Sequence, residues 1–148
     1  MAQRFERDGG SRTINEIMTH DPRMIDARSS IMDAAREMRD GDIGALVVMQ
    51  DGNIAGLLTD RDIVVRALAE GRDTNSTMCS DICSTNLQTM TPDQTLADAA
   101  GMMRDNDIRR IVIEQDGRPV GMLSIGDLAV ERDPESALAE ISAASPNN

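Results

Sequence analysis

An α+β fold built from two copies of a β-α-β-β-α unit is predicted for this chain of 148 residues. Three observations predict it. First, the sequence repeats itself at an offset of 65 residues. Asp33, Ala34, Ala35, Met38, Arg39, Asp40, Asp42 and Ile43 return as Asp98, Ala99, Ala100, Met103, Arg104, Asp105, Asp107 and Ile108. Second, each copy sets an Asp-Gly pair between two apolar runs, Asp51-Gly52 and Asp116-Gly117, which is a hairpin signal. Third, each copy closes on one pattern. A Gly opens a short apolar run, a hydroxyl residue ends it, and an Asp follows three positions on. The copies are Gly56-Leu57-Leu58-Thr59-Asp60-Arg61-Asp62 and Gly121-Met122-Leu123-Ser124-Ile125-Gly126-Asp127. Such a repeat governs the whole assignment. One copy alone buries too little core, so the two are expected to pack on each other about a pseudo-two-fold axis.

Taken in order, residues 1–12 are polar, contain Gly9-Gly10 and read as a flexible leader. The first unit spans residues 13–71. Thr13-x-x-Glu16 is a capping-box pattern that opens a short helix reaching Met18. A brief strand is expected over 24–26, after Pro22. Ser30-x-x-Asp33 opens the next helix, with Ile31, Ala34, Ala35 and Met38 at helical spacing. Gly41 is read as its stop. Residues 45–49 form a continuous apolar run, as a strand buried on both faces does. The return strand covers 54–58. A helix starts at Asp60, carries Ile63, Val64, Ala67 and Leu68, and closes at Gly71.

Residues 72–80 are polar and read as a linker to the second unit, residues 81–133. There the order recurs. A short helix lies near Asp81, a strand covers 87–91, and Thr95-x-x-Asp98 caps the long helix. Strands at 110–114 and 120–123 flank the Asp116-Gly117 turn, Pro119 is tolerated at a strand start, and a helix begins at Gly126. Pro134 ends that helix early. Residues 134–148 form a C-terminal tail, with a possible further helical turn over 134–141 and fraying beyond.

Composition removes several function classes. The net charge is -11, which argues against a nucleic-acid binder, whose affinity rests on a basic face. No run approaches the length of a membrane span, and no apolar signal region opens the chain, so a cytoplasmic location is expected. All fifteen basic residues are Arg, and the one aromatic residue is Phe5. A planar ligand must therefore lie between aliphatic side chains. Cys79, Cys83 and the single histidine, His20, are too few and too separated to argue for a metal centre or a redox role. If a helix forms there, the cysteine sulfurs share one face at the edge of disulfide reach. The Met residues of the repeat helices, Met32, Met38, Met102 and Met103, read as packing residues. There is no P-loop and no Ser-His-Asp order, so catalysis is not expected.

The repeat length, the element order, the Asp-Gly turn and the doubled Gly-h-h-[Thr/Ser]-x-x-Asp motif together resemble a tandem pair of cystathionine-β-synthase (CBS) domains, called a Bateman module. The resemblance covers residues 13–133, and the pattern is similar to stand-alone two-CBS proteins of bacteria and archaea. It implies two clefts between the repeats, where adenosine-containing ligands bind, and pairing of two modules into a flat homodimeric disc. Asp62 and Asp127 then accept the ribose hydroxyls, with Thr59 and Ser124 bonding a ribose or phosphate oxygen. A charge-assisted hydrogen bond of this kind contributes about 1.5–3 kcal/mol. The resemblance places the adenine among apolar residues. In the first unit these are Met24 or Ile25, and Ile43 to Ala45. In the second they are Leu87 to Thr89, and Ile108. Arg109 or Arg110 stands where family members put a phosphate-binding base. The first unit has Gly44-Ala45 there, and instead carries Arg61 inside its motif, so Asp127 with Arg109 or Arg110 is expected to be the better nucleotide site and Asp62 with Arg61 the second.

The resulting expectation is a non-catalytic regulatory module that needs no cofactor, binds AMP, ADP, ATP or a related compound, and signals to a separate effector protein. The alternative is a structural, oligomerisation or partner-interaction module with empty clefts. Both Asp residues can also act simply as helix caps or ion-pair partners.

Overall fold

The computed structural model describes residues 12–132; residues 1–11 of the leader, residue 133 and the tail at 134–148 lie outside the described residues. The strands are β1 (Thr19–His20), β2 (Met24–Asp26), β3 (Ala45–Gln50), β4 (Asn53–Thr59), β5 (Thr89–Met90), β6 (Arg110–Gln115) and β7 (Arg118–Ser124). The helices are α1 (Ile31–Gly41), α2 (Asp60–Asp62, continuing as a π-helix over Ile63–Leu68), α3 (Cys79–Ile82), α4 (Leu96–Asn106) and α5 (Ile125–Arg132). The α+β architecture and its repetition agree with the sequence reading.

Two compact units form. One is centred on residues 22–87, the other on residues 12–21 together with 88–132. In the 22–87 unit a three-stranded sheet runs β2-β3-β4. The β2–β3 pair is parallel, with α1 as its crossover, and β3–β4 is an antiparallel hairpin. In the other unit the sheet runs β1-β7-β6-β5, with β5–β6 parallel across α4 and β6–β7 antiparallel. The division in space therefore cuts the repeat. Residues 77–83 belong with the first hairpin, and residues 13–20 with the second.

Each unit has its own core on one face of its sheet. Leu46, Val48 and Leu58 pack with Ile31, Ala34, Met38, Ala67, Cys79, Ile82 and Cys83. Ile111, Ile113 and Leu123 pack with Ile14, Met18, Met90, Leu96, Ala99, Met103 and Leu128. Both hairpins turn on Asp-Gly, with both residues at positive φ: 53° and 82° at Asp51-Gly52, 55° and 79° at Asp116-Gly117. That is the two-residue turn whose twist suits antiparallel strands.

Local expectations failed in four places. Thr13 makes no side-chain cap, and only a 3-10 turn, Ile14–Glu16, forms. Thr13 bridges to Thr95, and Glu16 pairs with Arg12 at 3.0 Å instead. Gly41 does not stop α1. Asp42 does, in the left-handed region at φ 52°, and Asp107 repeats this after α4 at φ 53°. A short polar side chain lowers the cost of that conformation. The helix after Thr59 widens to π-geometry from Ile63, a form often found beside functional sites. The strand expected over 87–91 shrinks to Thr89–Met90. The caps at Ser30 and Thr95 do form, each hydroxyl accepting the N–H three residues on at 3.1 Å.

Candidate functional site

In both units the motif is a strand end followed by a helix start, locked by reciprocal hydrogen bonds. The Thr59 N–H donates to Asp62 Oδ2 at 2.9 Å, and the Asp62 N–H donates to Thr59 Oγ1 at 3.1 Å. The Ser124 N–H donates to Asp127 Oδ2 at 2.9 Å, and the Asp127 N–H donates to Ser124 Oγ at 3.1 Å. This is a capping box. It satisfies helix-end donors and leaves each hydroxyl with a hydrogen to donate. One carboxylate oxygen is consumed and the other is held in a fixed direction.

The Gly that opens each motif has a packing role. A Cβ on Gly56 would meet the Ser84 carbonyl oxygen at 2.6 Å and Cys83 Sγ at 2.7 Å. Ser84 and Leu57 exchange backbone bonds there, at 2.9 and 3.0 Å. A Cβ on Gly121 would strike Met18, which enters beside β1, the strand paired to β7. In each motif the Gly thus lets a segment distant in the chain lie against the strand before the polar residues begin.

Register sorts the other predicted residues. Met24 pairs with Val47, and Ala45 with Thr59, all on the sheet face opposite the core. Ile25 and Ile43 pack against the core cluster instead, as does Ile108 in the other unit. Arg110 stands directly across from Ser124, and Thr89 across from Val112. The Thr89 hydroxyl donates to Glu114 Oε1 at 3.3 Å. The carbonyl of Arg109 accepts the Ile125 N–H at 2.9 Å, which ties that residue to the helix start. The same bond in the first motif runs from the Asp60 N–H to the Gly44 carbonyl at 3.0 Å. Ser124, Asp127, Arg109 and Arg110 are therefore gathered at one end of one sheet. Arg61 is exposed on the turn after Thr59, and Leu87 is half-buried ahead of β5.

One neighbour escaped the sequence reading. Arg66 Nε lies 3.8 Å from Asp62 Oδ1, and Arg66 Nη1 donates to the Ile82 carbonyl at 3.2 Å. The four-residue spacing on a helix was the available signal. Cys79 and Cys83 are both free and buried. Burial pushes the Cys79 thiol from 9.0 up to about 11, helped by the neighbouring Cys83 and Asp33. Burial raises Cys83 as well, aided by Asp62. His20 is exposed on β1. Among the described residues no cluster of three or more His, Cys, Asp or Glu could hold a metal. No described helix is long and apolar enough to cross a membrane.

Comparison with known proteins decides the family. The CBS domain pattern matches residues 14–68 and again 79–132. The chain belongs to the CBS domain family. It is 35% identical over 134 residues to the CBS domain-containing protein YhcV of Bacillus subtilis, covering 88% of this chain and 95% of that one. An uncharacterised conserved protein of Pyrococcus horikoshii is similar in structure, with a TM-score of 0.74, 28% identity, and coverage of 85% of this chain and 94% of that one. Hypoxic Response Protein I, whose solved structure holds two coordinated zinc ions, is similar with a TM-score of 0.70 and 29% identity, over 79% of this chain and 96% of that one. The tandem CBS pair inferred from the repeat is thereby established, and its relatives are stand-alone CBS proteins.

Proposed function

We propose that this CBS pair is a non-catalytic regulatory module that binds an adenosine-containing ligand at its Gly-h-h-[Thr/Ser]-x-x-Asp motifs. One observation carries the reading. The capping box holds Asp127 with Oδ2 on the Ser124 N–H, while Arg110 sits across from Ser124 and Arg109 adjoins the helix start. A carboxylate acceptor for ribose hydroxyls and a base for phosphate thus share one strand end. Helix α5 adds a partial positive field at its N-terminus. The net charge of -11 favours AMP or ADP over ATP. Output passes through pairing of two copies to a separate effector protein. Val64, Val65 and Leu68 lie exposed on one helix and offer an apolar face for that pairing. The location proposed is the cytoplasm.

The test is titration calorimetry with AMP, ADP and ATP on the wild type and on Asp127→Asn. Saturable binding that the substitution weakens supports the assignment. Absence of binding to both proteins overturns it.

A structural or interaction module with empty clefts is the second reading. It draws on the same capping boxes, because Asp62 and Asp127 have a complete role in the fold without any ligand. Thermal unfolding against a nucleotide panel separates the two. A ligand at 100 times its Kd adds about 2.7 kcal/mol, whereas an empty module shows no shift.

A further inference from the structure

The two motifs differ in what faces the second oxygen of the aspartate. In the first, Asp62 Oδ1 has the Arg66 guanidinium at 3.8 Å, and the Asp62 side chain is only 15% exposed. The Arg66 side chain is 53% exposed, so the pair is sheltered on the carboxylate side alone and only partly escapes solvent screening. Arg66 is also restrained from its far side by the Ile82 carbonyl, at 3.2 Å. In the second motif, the position four residues after the Asp is occupied by Glu131 rather than Arg. Glu131 is paired with Arg12, which also holds Glu16 at 3.0 Å. The Asp127 carboxylate has one partner among the described residues, the Ser124 N–H on Oδ2. Among the described residues no Arg forms an ion pair with Asp127.

We infer that Arg66 is a built-in competitor for the ribose-accepting oxygen of Asp62, so that the Ser124–Asp127 motif fills first and the Thr59–Asp62 motif second. The inference rests on the adenosine-binding reading above and concerns only the order of the two sites. A vicinal diol can chelate Asp127 with no contact to break. At Asp62 it must compete for Oδ1 with a guanidinium that the Ile82 carbonyl holds in place. The basic pair Arg109-Arg110 acts in the same direction, since the first motif has Gly44-Ala45 in that position.

The experiment is calorimetric titration of the full chain with AMP, in six forms. They are wild type, Asp62→Asn, Asp127→Asn, Arg66→Gln, and the Asp127→Asn protein carrying Arg66→Gln or Arg66→Met. Asn preserves an oxygen for the capping box while removing the charge. Gln preserves an N–H donor for the Ile82 carbonyl, and Met removes both donor and charge. Asp127→Asn is expected to abolish the tighter event and leave the weaker one. On that background both Arg66 variants should tighten AMP binding about two- to five-fold, the range for relieving a partly sheltered ion pair. Asp62→Asn should leave the tighter event in place. Equal weakening by Asp62→Asn and Asp127→Asn overturns the inference. So does unchanged or weaker binding in both Arg66 variants on the Asp127→Asn background, which would make Arg66 neutral or a ligand contact. AMP binding by none of the six proteins is a different outcome, and overturns the adenosine reading together with this ordering.

Discussion

Replacing Asp127 by Ala and by Asn separates what that residue does for the fold from what it does for a ligand. In the folded chain its Oδ2 accepts the Ser124 N–H at 2.9 Å, and its own N–H is held by Ser124 Oγ at 3.1 Å. Asp127→Ala deletes the first bond and leaves a part-buried donor at the head of α5. Loss of such a cap costs about 0.5–2 kcal/mol. For a domain of this size about 1 kcal/mol lowers Tm by roughly 4 °C. Asp127→Asn keeps an amide oxygen in the same place, so its Tm should stay within about 2 °C of wild type. Its ligand affinity should fall nonetheless. Exchanging a charge-assisted bond for a neutral one removes about 1–2 kcal/mol per ribose hydroxyl, or roughly 5- to 30-fold in Kd for each bond lost. Calorimetry with AMP and thermal unfolding of the same samples give both readouts. The reasoning is refuted if wild type binds AMP and Asp127→Asn binds it equally well. It is also refuted if Asp127→Ala unfolds at the wild-type temperature.

Further outcomes follow from the same geometry. Gly56→Ala should destabilise by about 2–3 kcal/mol in urea, because its Cβ meets the backbone carbonyl of Ser84, which cannot rotate away. Gly121→Ala should cost less, because the obstacle there is the flexible end of Met18. Alkaline unfolding should report the buried thiols, since the chain has no Lys and no Tyr to titrate beside them. The folded Cys79 holds its proton until about pH 11 and the unfolded thiol loses its own near 9.0. The native state thus binds more protons in that window, and stability should fall by about 2–3 kcal/mol as pH rises through it. Cys79→Ala should flatten that slope in a pH series of urea melts. Leu68→Asp, at a side chain 64% exposed, should leave Tm within about 2 °C and weaken self-association by light scattering. An unchanged oligomeric state would remove this helix face from the proposed pairing.

Much of the architecture was legible in the chain because its signals are local and doubled. Asp51-Gly52 and Asp116-Gly117 demand one turn type, and Ser30 and Thr95 demand a helix start, whatever surrounds them. The motif residues Thr59, Asp62, Ser124 and Asp127 were found by repetition, whereas the register that puts Arg110 opposite Ser124 came from the fold. The misread positions are those where a local pattern competes with a distant partner. Thr13-x-x-Glu16 looks like a capping box, yet Thr13 bridges to Thr95 and Glu16 turns to Arg12. Ile25, Ile43 and Ile108 are apolar residues near the motifs, and only the fold shows that they also pack against the core clusters.

The opening glycines show the same limit. Repetition marked Gly56 and Gly121 as important without saying why. Only the fold brings Ser84 and Met18 against them, because those segments come from far along the chain. The sequence alone determined that this protein is a doubled unit with a hydroxyl and a carboxylate at each strand-to-helix turn. Those features depend on neighbours a few residues apart. The tertiary structure decided which oxygen each carboxylate has left to offer. Arg66 reaches Asp62 from the next turn of its own helix, but the Ile82 carbonyl that restrains it and the Arg12 that draws Glu131 away come from separate segments.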